Sequence, residues 1–373
     1  NLSLLDIPEA WDQTQGEGVV VAIVDTGVSA FTDGFLNLMD GYDFVDEDGD
    51  AADDNGHGTQ VAGTVAQATN NGIGVAGVAP QASILPVRVL GRDGSGLSVD
   101  VAEGIVWAVD SGAQVINLSL GSAVASQVVE DALLYAWEQD VVVVAAAGND
   151  ASTNVIGFPA ALSTVLAVGA IDLTRQIAAY SSRGAELDLV APGGDVSSDS
   201  DNDGLPDGIT QETEIDGEVR YWVYQGTSMA SPHVAGLAAL LISAGTTRPE
   251  AVRRALLTTA DDLGVPGFDH MYGHGVPNIL AALDCAALPT PDGLEISGVV
   301  VRPMSANRSS IQWFTSIEAN TQVSSAVGFA LEDSTSMRVH KAVLRGRAGS
   351  TVQVTLRSAT SGDEVVEVVE VTF

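Results

Sequence analysis

Between residues 19 and 168 the chain alternates short β-branched runs with helical patterns, and this alternation restricts its fold more than any other feature. Val19-Val20-Val21-Ala22-Ile23-Val24 is continuously apolar. A strand buried on both faces of a parallel sheet reads this way. Residues 84–90, 115–118, 141–146 and 165–168 repeat the signal. Helical spacing fills the intervals, at residues 60–68, 99–111 and 126–139. The pattern implies βαβ units with right-handed crossovers. The expected fold is α/β, a doubly wound, mainly parallel sheet with helices on both faces. Ligands in such folds sit beyond the carboxyl ends of strands. Asp25 and Asn149 both follow apolar runs and so stand at such ends.

The texture changes near Leu288. Pro289-Thr290-Pro291-Asp292-Gly293 is a linker signal. It divides the chain into residues 1–288, a linker at 289–293, and residues 294–373. The last part has short β-rich runs at 296–301, 310–314, 339–344, 351–356 and 365–373, separated by turn residues. These suggest a small all-β sandwich. The whole chain of 373 residues is long enough for a large core plus such a domain. Its apolar runs are too short to span a bilayer. No basic and apolar leader opens it, so any signal or pro-segment is expected to have been removed. Cys285 is the sole cysteine, which rules out a disulfide within the chain.

Net charge decides some partners. At −34, with Lys341 the single lysine, the chain is expected to bind neither nucleic acid nor anionic membranes. Residues 1–288 hold 40 Asp or Glu against 8 Arg. Many of these acids cluster in two stretches, 40–54 and 195–218. Clustering in loops points to cations, beside the plainer reading of an acidic, soluble surface.

Three polar residues stand where chemistry is possible. Gly226-Thr227-Ser228-Met229-Ala230-Ser231-Pro232-His233-Val234-Ala235-Gly236 is a tight turn running into a helix. Pro232 is expected in its first turn, where a missing N–H costs nothing. Ser228 then stands at the helix's N-terminal edge, where free N–H groups suit a developing oxyanion. Taken alone, Ser228 reads first as an N-cap, Asp25 as a simple turn-former, and His57 as a helix cap or surface residue.

Together they read differently. In the order Asp25, His57, Ser228 they resemble the catalytic triad of the subtilisin-like serine proteases, the subtilases. The motifs are Val21-Ala22-Ile23-Val24-Asp25-Thr26-Gly27-Val28, Asn55-Gly56-His57-Gly58-Thr59-Gln60-Val61-Ala62-Gly63 and the Ser228 segment. Ala145-Ala146-Ala147-Gly148-Asn149-Asp150 resembles the family's oxyanion-hole segment. The resemblance covers roughly residues 4–286. It implies that Ser228 is the nucleophile, His57 the base, Asp25 the residue orienting the imidazole, and Asn149 an oxyanion donor. One departure is Gln60, where the family usually has a second His.

The resemblance also implies a substrate cleft. Gly94, Ser95 and Gly96 match one edge and Ser119, Leu120 and Gly121 the other, with an extended peptide added as a strand between them. Gly157 matches the floor of the first specificity pocket, beside Phe158-Pro159-Ala160. A glycine floor leaves room for a large apolar residue. Asp150 at the rim is a weak reason to expect a basic one.

Calcium (Ca2+) is the implied structural cofactor. Asp43, Asp46, Asp48 and Asp50 resemble a calcium loop of thermitase-like subtilases. Asp199, Asp201, Asp203, Leu205 and Asp207, with Gly204 between, fit an EF-hand-like or thrombospondin-type loop. The last ligand there is expected from Asp207 or Glu212. Asn70-Asn71-Gly72-Ile73-Gly74-Val75 resembles the family's strong calcium loop, with Asp33 and Asn71 on its ligand positions. Beyond the linker, Ser310-Ile311-Gln312-Trp313-Phe314-Thr315, the later segment His340 to Val352, and Val371-Thr372-Phe373 resemble strands of fibronectin type III domains.

These features imply a secreted, calcium-stabilised, monomeric serine endopeptidase of broad specificity with an apolar bias. It would act on protein or peptide substrates and be accompanied by its own propeptide before maturation. A selective processing protease and a catalytically silent binding protein are the alternatives.

Overall fold

A computed structural model describes residues 1–200, 202–286, 296–305, 308–325, 330–345, 351–359 and 364–372. The chain divides into two units, Asn1–Leu288 and Pro289–Phe373. In the first, a 3-10 turn (Leu2–Leu5) and α1 (Ile7–Ala10) precede β1 (Val20–Asp25), β2 (Asn37–Leu38), β3 (Tyr42–Asp43), α2 (His57–Ala66) and β4 (Ser83–Arg88). Then come α3 (Ser98–Asp110), β5 (Val115–Leu118), α4 (Gln127–Glu138), β6 (Val142–Ala146), β7 (Val165–Ile171) and β8 (Leu189–Pro192). A hairpin of β9 (Ile209–Ile215) and β10 (Glu218–Tyr224) leads into α5 (Thr227–Ser243), α6 (Pro249–Thr258) and α7 (Ile279–Ala286).

The strand order of the large sheet is β2-β4-β1-β5-β6-β7-β8, with β3 also on β4. Every neighbouring pair in it is parallel. The runs at β1, β5, β6 and β7 are buried at nearly every position, as a sheet covered on both faces requires. Each large side chain so buried contributes roughly 1.5–3 kcal/mol. The expected α/β sheet is the fold observed.

The order also locates the site. From β1 the chain passes to β4 on one side, then to β5 on the other. Both pair with β1, Val21 opposite Ile84 and Val115. The winding reverses there, and the crevice between the ends of β1 and β5 is where such a sheet offers a ligand pocket. Asp25 ends β1 and Ser119 follows β5.

The hairpin β9–β10 was not expected. Its antiparallel strands pair from Ile215 with Glu218 to Ile209 with Tyr224. Pro232 also differs from expectation. It lies inside α5, in the second turn rather than the first. There its missing N–H leaves the Ser228 carbonyl without an intrahelical partner.

In the second unit β11 (Ile296–Ser305), β12 (Arg308–Ser325), β13 (Ala330–Arg345), β14 (Thr351–Ala359) and β15 (Glu364–Thr372) form one antiparallel sheet. Its order is β11-β12-β14-β15, with β13 also on β12, where Trp313 pairs with His340. These strands are what the described residues show of the expected sandwich; β12 pairs with β11 through its first half and with β14 through its second, and β11 and β15 also approach each other. The linker at 289–293, the turn at 346–350 and Phe373 also lie outside them. Among the described residues no helix is long and apolar enough to cross a membrane.

Candidate active site

Asp25 is fully buried at the end of β1. Its Oδ1 accepts from Thr26 N at 2.8 Å and stands 2.7 Å from His57 Nδ1. A carboxylate oxygen only accepts, so Nδ1 carries the proton and Nε2 presents a lone pair. The His57 side chain is 24% exposed, which leaves that face open to a ligand. Burial pulls the imidazolium pKa down, but the charge and hydrogen bond of Asp25, aided by Asp53, outweigh it. The net shift is upward. The site therefore favours the charged imidazole, as a base that must hold a proton requires.

The start of α2 sets where His57 stands. Gly56, its N-cap, has φ 99° and no side chain to cap with. Asp53 caps instead. Its Oδ1 accepts from Asn55 N at 3.0 Å and Gly56 N at 2.8 Å, and its Oδ2 from Thr59 N at 2.8 Å and Thr59 Oγ1 at 2.7 Å. Thr26 Oγ1 joins this network, donating to Asp53 at 2.9 Å and accepting from Gly58 N at 2.9 Å. Gly58 is needed here, because a Cβ would fall 2.1 Å from Gly27 O. One buried carboxylate thus ties the Asp25 turn to the His57 helix. Sequence reasoning counted Asp53 among clustered acids and missed this role; its place four residues before His57 was the available signal.

Ser228 is half-buried in the first turn of α5. The carbonyl freed by Pro232 accepts from Ser119 Oγ at 2.7 Å. Ser228 Oγ in turn donates to Ser119 O at 3.2 Å. The expected bond from Ser228 to His57 is not formed here, since the hydroxyl's single proton points at Ser119. Asn117 Nδ2 and Ser231 Oγ hold Ser119 Oγ at 2.9 and 3.0 Å. Asn149 is exposed, but its Oδ1 is fixed by Thr227 N at 2.9 Å and Thr227 Oγ1 at 3.0 Å. That orientation leaves Nδ2 as a free donor beside Gly226, whose notional Cβ would lie 3.5 Å away.

His57 borders a cleft of about 490 Å³, whose lining does not include Asp25, Ser228 or Asn149. His57, Gly94, Ser95, Gly96, Ser119, Leu120 and Gly121 all line it, so the two expected edges share one groove with the base. Asp93 shapes the first edge, where its Oδ1 accepts from Ser95 N and Oγ at 3.0 and 2.6 Å. Gly157 is not in the lining, though its neighbours Phe158 and Pro159 are; Asp150 is exposed and outside it. The groove is apolar at Leu90, which opens the segment expected to form the first edge, and at Val101, Val124 and Val129, which sequence did not single out.

What holds their oxygens decides whether the acidic loops suit calcium. Among the described residues no group of three or more His, Cys, Asp or Glu side chains is placed to hold a metal. In the first loop the buried Asp43 carboxylate is hydrogen-bonded by the Arg88 guanidinium, which also reaches Asp46 at 3.0 Å and Asp54 at 3.2 Å. A guanidinium thus relieves part of the repulsion assigned to a cation, while Asp48 and Asp50 remain exposed. In the second loop Asp199 accepts from Asp203 N at 3.1 Å and Gly204 N at 3.2 Å, and Asp203 from Leu205 N at 2.8 Å. The buried Asp207 accepts from Ser200 N at 2.7 Å. These oxygens are of the type a hard cation takes, but backbone N–H groups occupy them here and they do not converge on one point. Asp201 lies outside the described residues. Glu212 is drawn away from this loop: it accepts from Asp33 N at 2.6 Å. Asp33 does not fit a cation. Its carboxylate is taken by Asn71 Nδ2 at 2.6 Å, Val75 N at 3.1 Å and Tyr221 OH at 3.2 Å, all proton donors.

The comparisons agree with this geometry. The model of a family described as the subtilase family, peptidase S8, matches residues 16–275. The chain is 47% identical over 267 residues to a thermophilic serine proteinase of Bacillus sp. (strain AK1), covering 71% of this chain and 62% of that protein. The match thus spans less than two thirds of that relative's length. It is 43% identical over 264 residues to thermitase of Thermoactinomyces vulgaris, covering 70% of this chain and 88% of thermitase. A solved structure titled as proteases from Pseudoalteromonas arctica PAMC 21717 superposes with a TM-score of 0.68 at 37% identity, over 76% of this chain and 94% of that one.

Proposed function

The chain belongs to the subtilase family of serine endopeptidases, and on that premise we propose that it hydrolyses peptide bonds through an acyl-enzyme formed on Ser228. The observation that carries this is the 2.7 Å contact of His57 with buried Asp25 at the wall of an apolar cleft. Ser228 Oγ attacks the scissile carbonyl carbon as its proton passes to His57 Nε2. The imidazolium then gives that proton to the leaving amine. Asp25 holds Nδ1–H throughout and stabilises the charged ring. Asn149 Nδ2 and Ser228 N donate to the oxyanion. Losing one such donor typically costs about 10²–10³ in rate. Water reverses the sequence and frees the acid product.

The finer reading is also ours. The enzyme is a secreted monomer with broad specificity and an apolar preference before the scissile bond, which the apolar groove supports. Its partners are protein or peptide substrates and its own propeptide. Residues 1–288 form the catalytic domain, and residues 294–373 a fibronectin type III-like sandwich beyond the 289–293 linker. Asp199, Asp203 and Asp207, and separately Asp46, Asp48 and Asp50, hold structural calcium, which neutralises clustered carboxylates. Ser228→Ala tests the core of this. It is expected to abolish hydrolysis and fluorophosphonate labelling while keeping the parent circular dichroism spectrum. Undiminished proteolysis in that variant would end the proposal.

A further inference from the structure

The hairpin β9–β10 lines no part of the cleft, yet it is fastened to the turn that carries His57. Thr213, fully buried, donates its hydroxyl to Gly56 O at 2.6 Å. Glu214 O presses on Gly56, where a Cβ would lie 2.1 Å from it. One turn later Gln60 Nε2 donates to Ile209 O at 2.7 Å. Gln60 stands where a second His was expected, so the departure from the family motif serves this same junction.

The turn needs such help. Gly56 and Gly58 flank His57 and bring no side chains of their own. Asp53 holds the turn's N–H groups, but a carboxylate cannot hold its carbonyls. The Gly56 carbonyl has one helical donor, Gln60 N, at 3.2 Å. The Thr213 hydroxyl is its second and shorter partner. Rotation of the Gly56 peptide would swing the imidazole relative to Asp25.

We propose that Thr213 is a positioning residue for His57, acting through the Gly56 carbonyl to keep the imidazole in register with Asp25. This rests on His57 being the general base. Loosening the turn weakens the Asp25 contact that raises the imidazole's proton affinity. The base then loses orientation first, and substrate binding is spared.

The test compares Thr213→Val, an isostere without the hydroxyl, with Thr213→Ser in the full chain. Both are assayed on a chromogenic peptide anilide, well below each variant's melting temperature. Thr213→Val is expected to lower kcat about tenfold, inside the roughly 10²-fold that a misplaced group costs, with KM nearly unchanged. The acid limb of its kcat/KM profile moves to lower pH. Thr213→Ser restores both. Should the valine variant fail to fold, Thr213→Ala is read in its place. A folded variant without the hydroxyl that keeps the parent's kcat and acid limb overturns the proposal, as does a serine variant equally impaired. A parent inert to substrate and fluorophosphonate alike sinks the hydrolase reading, and this inference with it.

Discussion

Pro232 removes one N–H from α5, and that missing donor shapes the surroundings of Ser228. The Ser228 carbonyl turns to Ser119 Oγ instead, so a cleft-edge residue also anchors the proposed nucleophile. The neighbouring His233 has a different task. It is wholly buried and its Nδ1 lies 2.8 Å from Met229 O. Burial pushes its pKa down to about 4, against the Met229 bond, which acts upward. The unfolded chain protonates this ring near pH 6.5, the folded chain only near 4. Between these values the unfolded state binds more protons, so stability falls as pH falls. At about 1.4 kcal/mol per pH unit, the window is worth roughly 3 kcal/mol. In His233→Asn, whose amide can still donate to Met229 O, melting temperature should fall less steeply from pH 6.5 to 4 than in the parent. Equal slopes would contradict the assignment. Asp25, His57 and Ser228 were legible because each sits in a motif with fixed neighbours. Asp53 and Thr213 were not, because their role is to bond a backbone turn that the sequence does not display.

Helix α2 shows what an element borrows from its surroundings. It has ten residues, a glycine without a side chain as its N-cap and no acid in its first turn, so its start is specified by Asp53 and Asn55 before it and by the hairpin. Gly56→Ala should therefore be severe. An alanine at positive φ costs about 1–2 kcal/mol, and its Cβ would meet Glu214 O. The expected result is a lower melting temperature together with a loss of kcat. A variant with parent stability and rate would show that the hairpin yields freely. The parallel strands were legible because both faces are buried, which leaves continuous apolar runs. The hairpin was not. In β9 the residues Thr210, Gln211, Glu212, Thr213 and Glu214 read as loop, yet most are buried against α2 and Asp33. Their burial rests on specific hydrogen bonds rather than on apolar character, and periodicity does not register that. Strand β8 escaped notice because it is four residues long and ends in proline.

Across the whole molecule the dominant force to be managed is negative charge. A net −34 acts against compaction through self-repulsion. Arg88 answers it locally at Asp43, Asp46 and Asp54. Asp199, Asp203 and Asp207 have their carboxylates bonded by backbone N–H groups instead. If calcium completes that loop, excess chelator should lower the melting temperature by several degrees and hasten self-cleavage. A scan unmoved by chelator would remove calcium from the account. The acidic composition pointed to cations, but not to the places where Arg88 and Tyr221 take up carboxylates instead.

The strand order β4-β1-β5 has a last consequence, for the time before the fold is complete. Asp25 arrives early in the chain, while Ser228 belongs to a helix that follows the final parallel strand. With Ser228 as the proposed nucleophile, no amino-terminal fragment short of α5 carries it, and closing so long a span is slow. A half-made chain is therefore blunt, unable to cut itself or its neighbours until its last large helix docks.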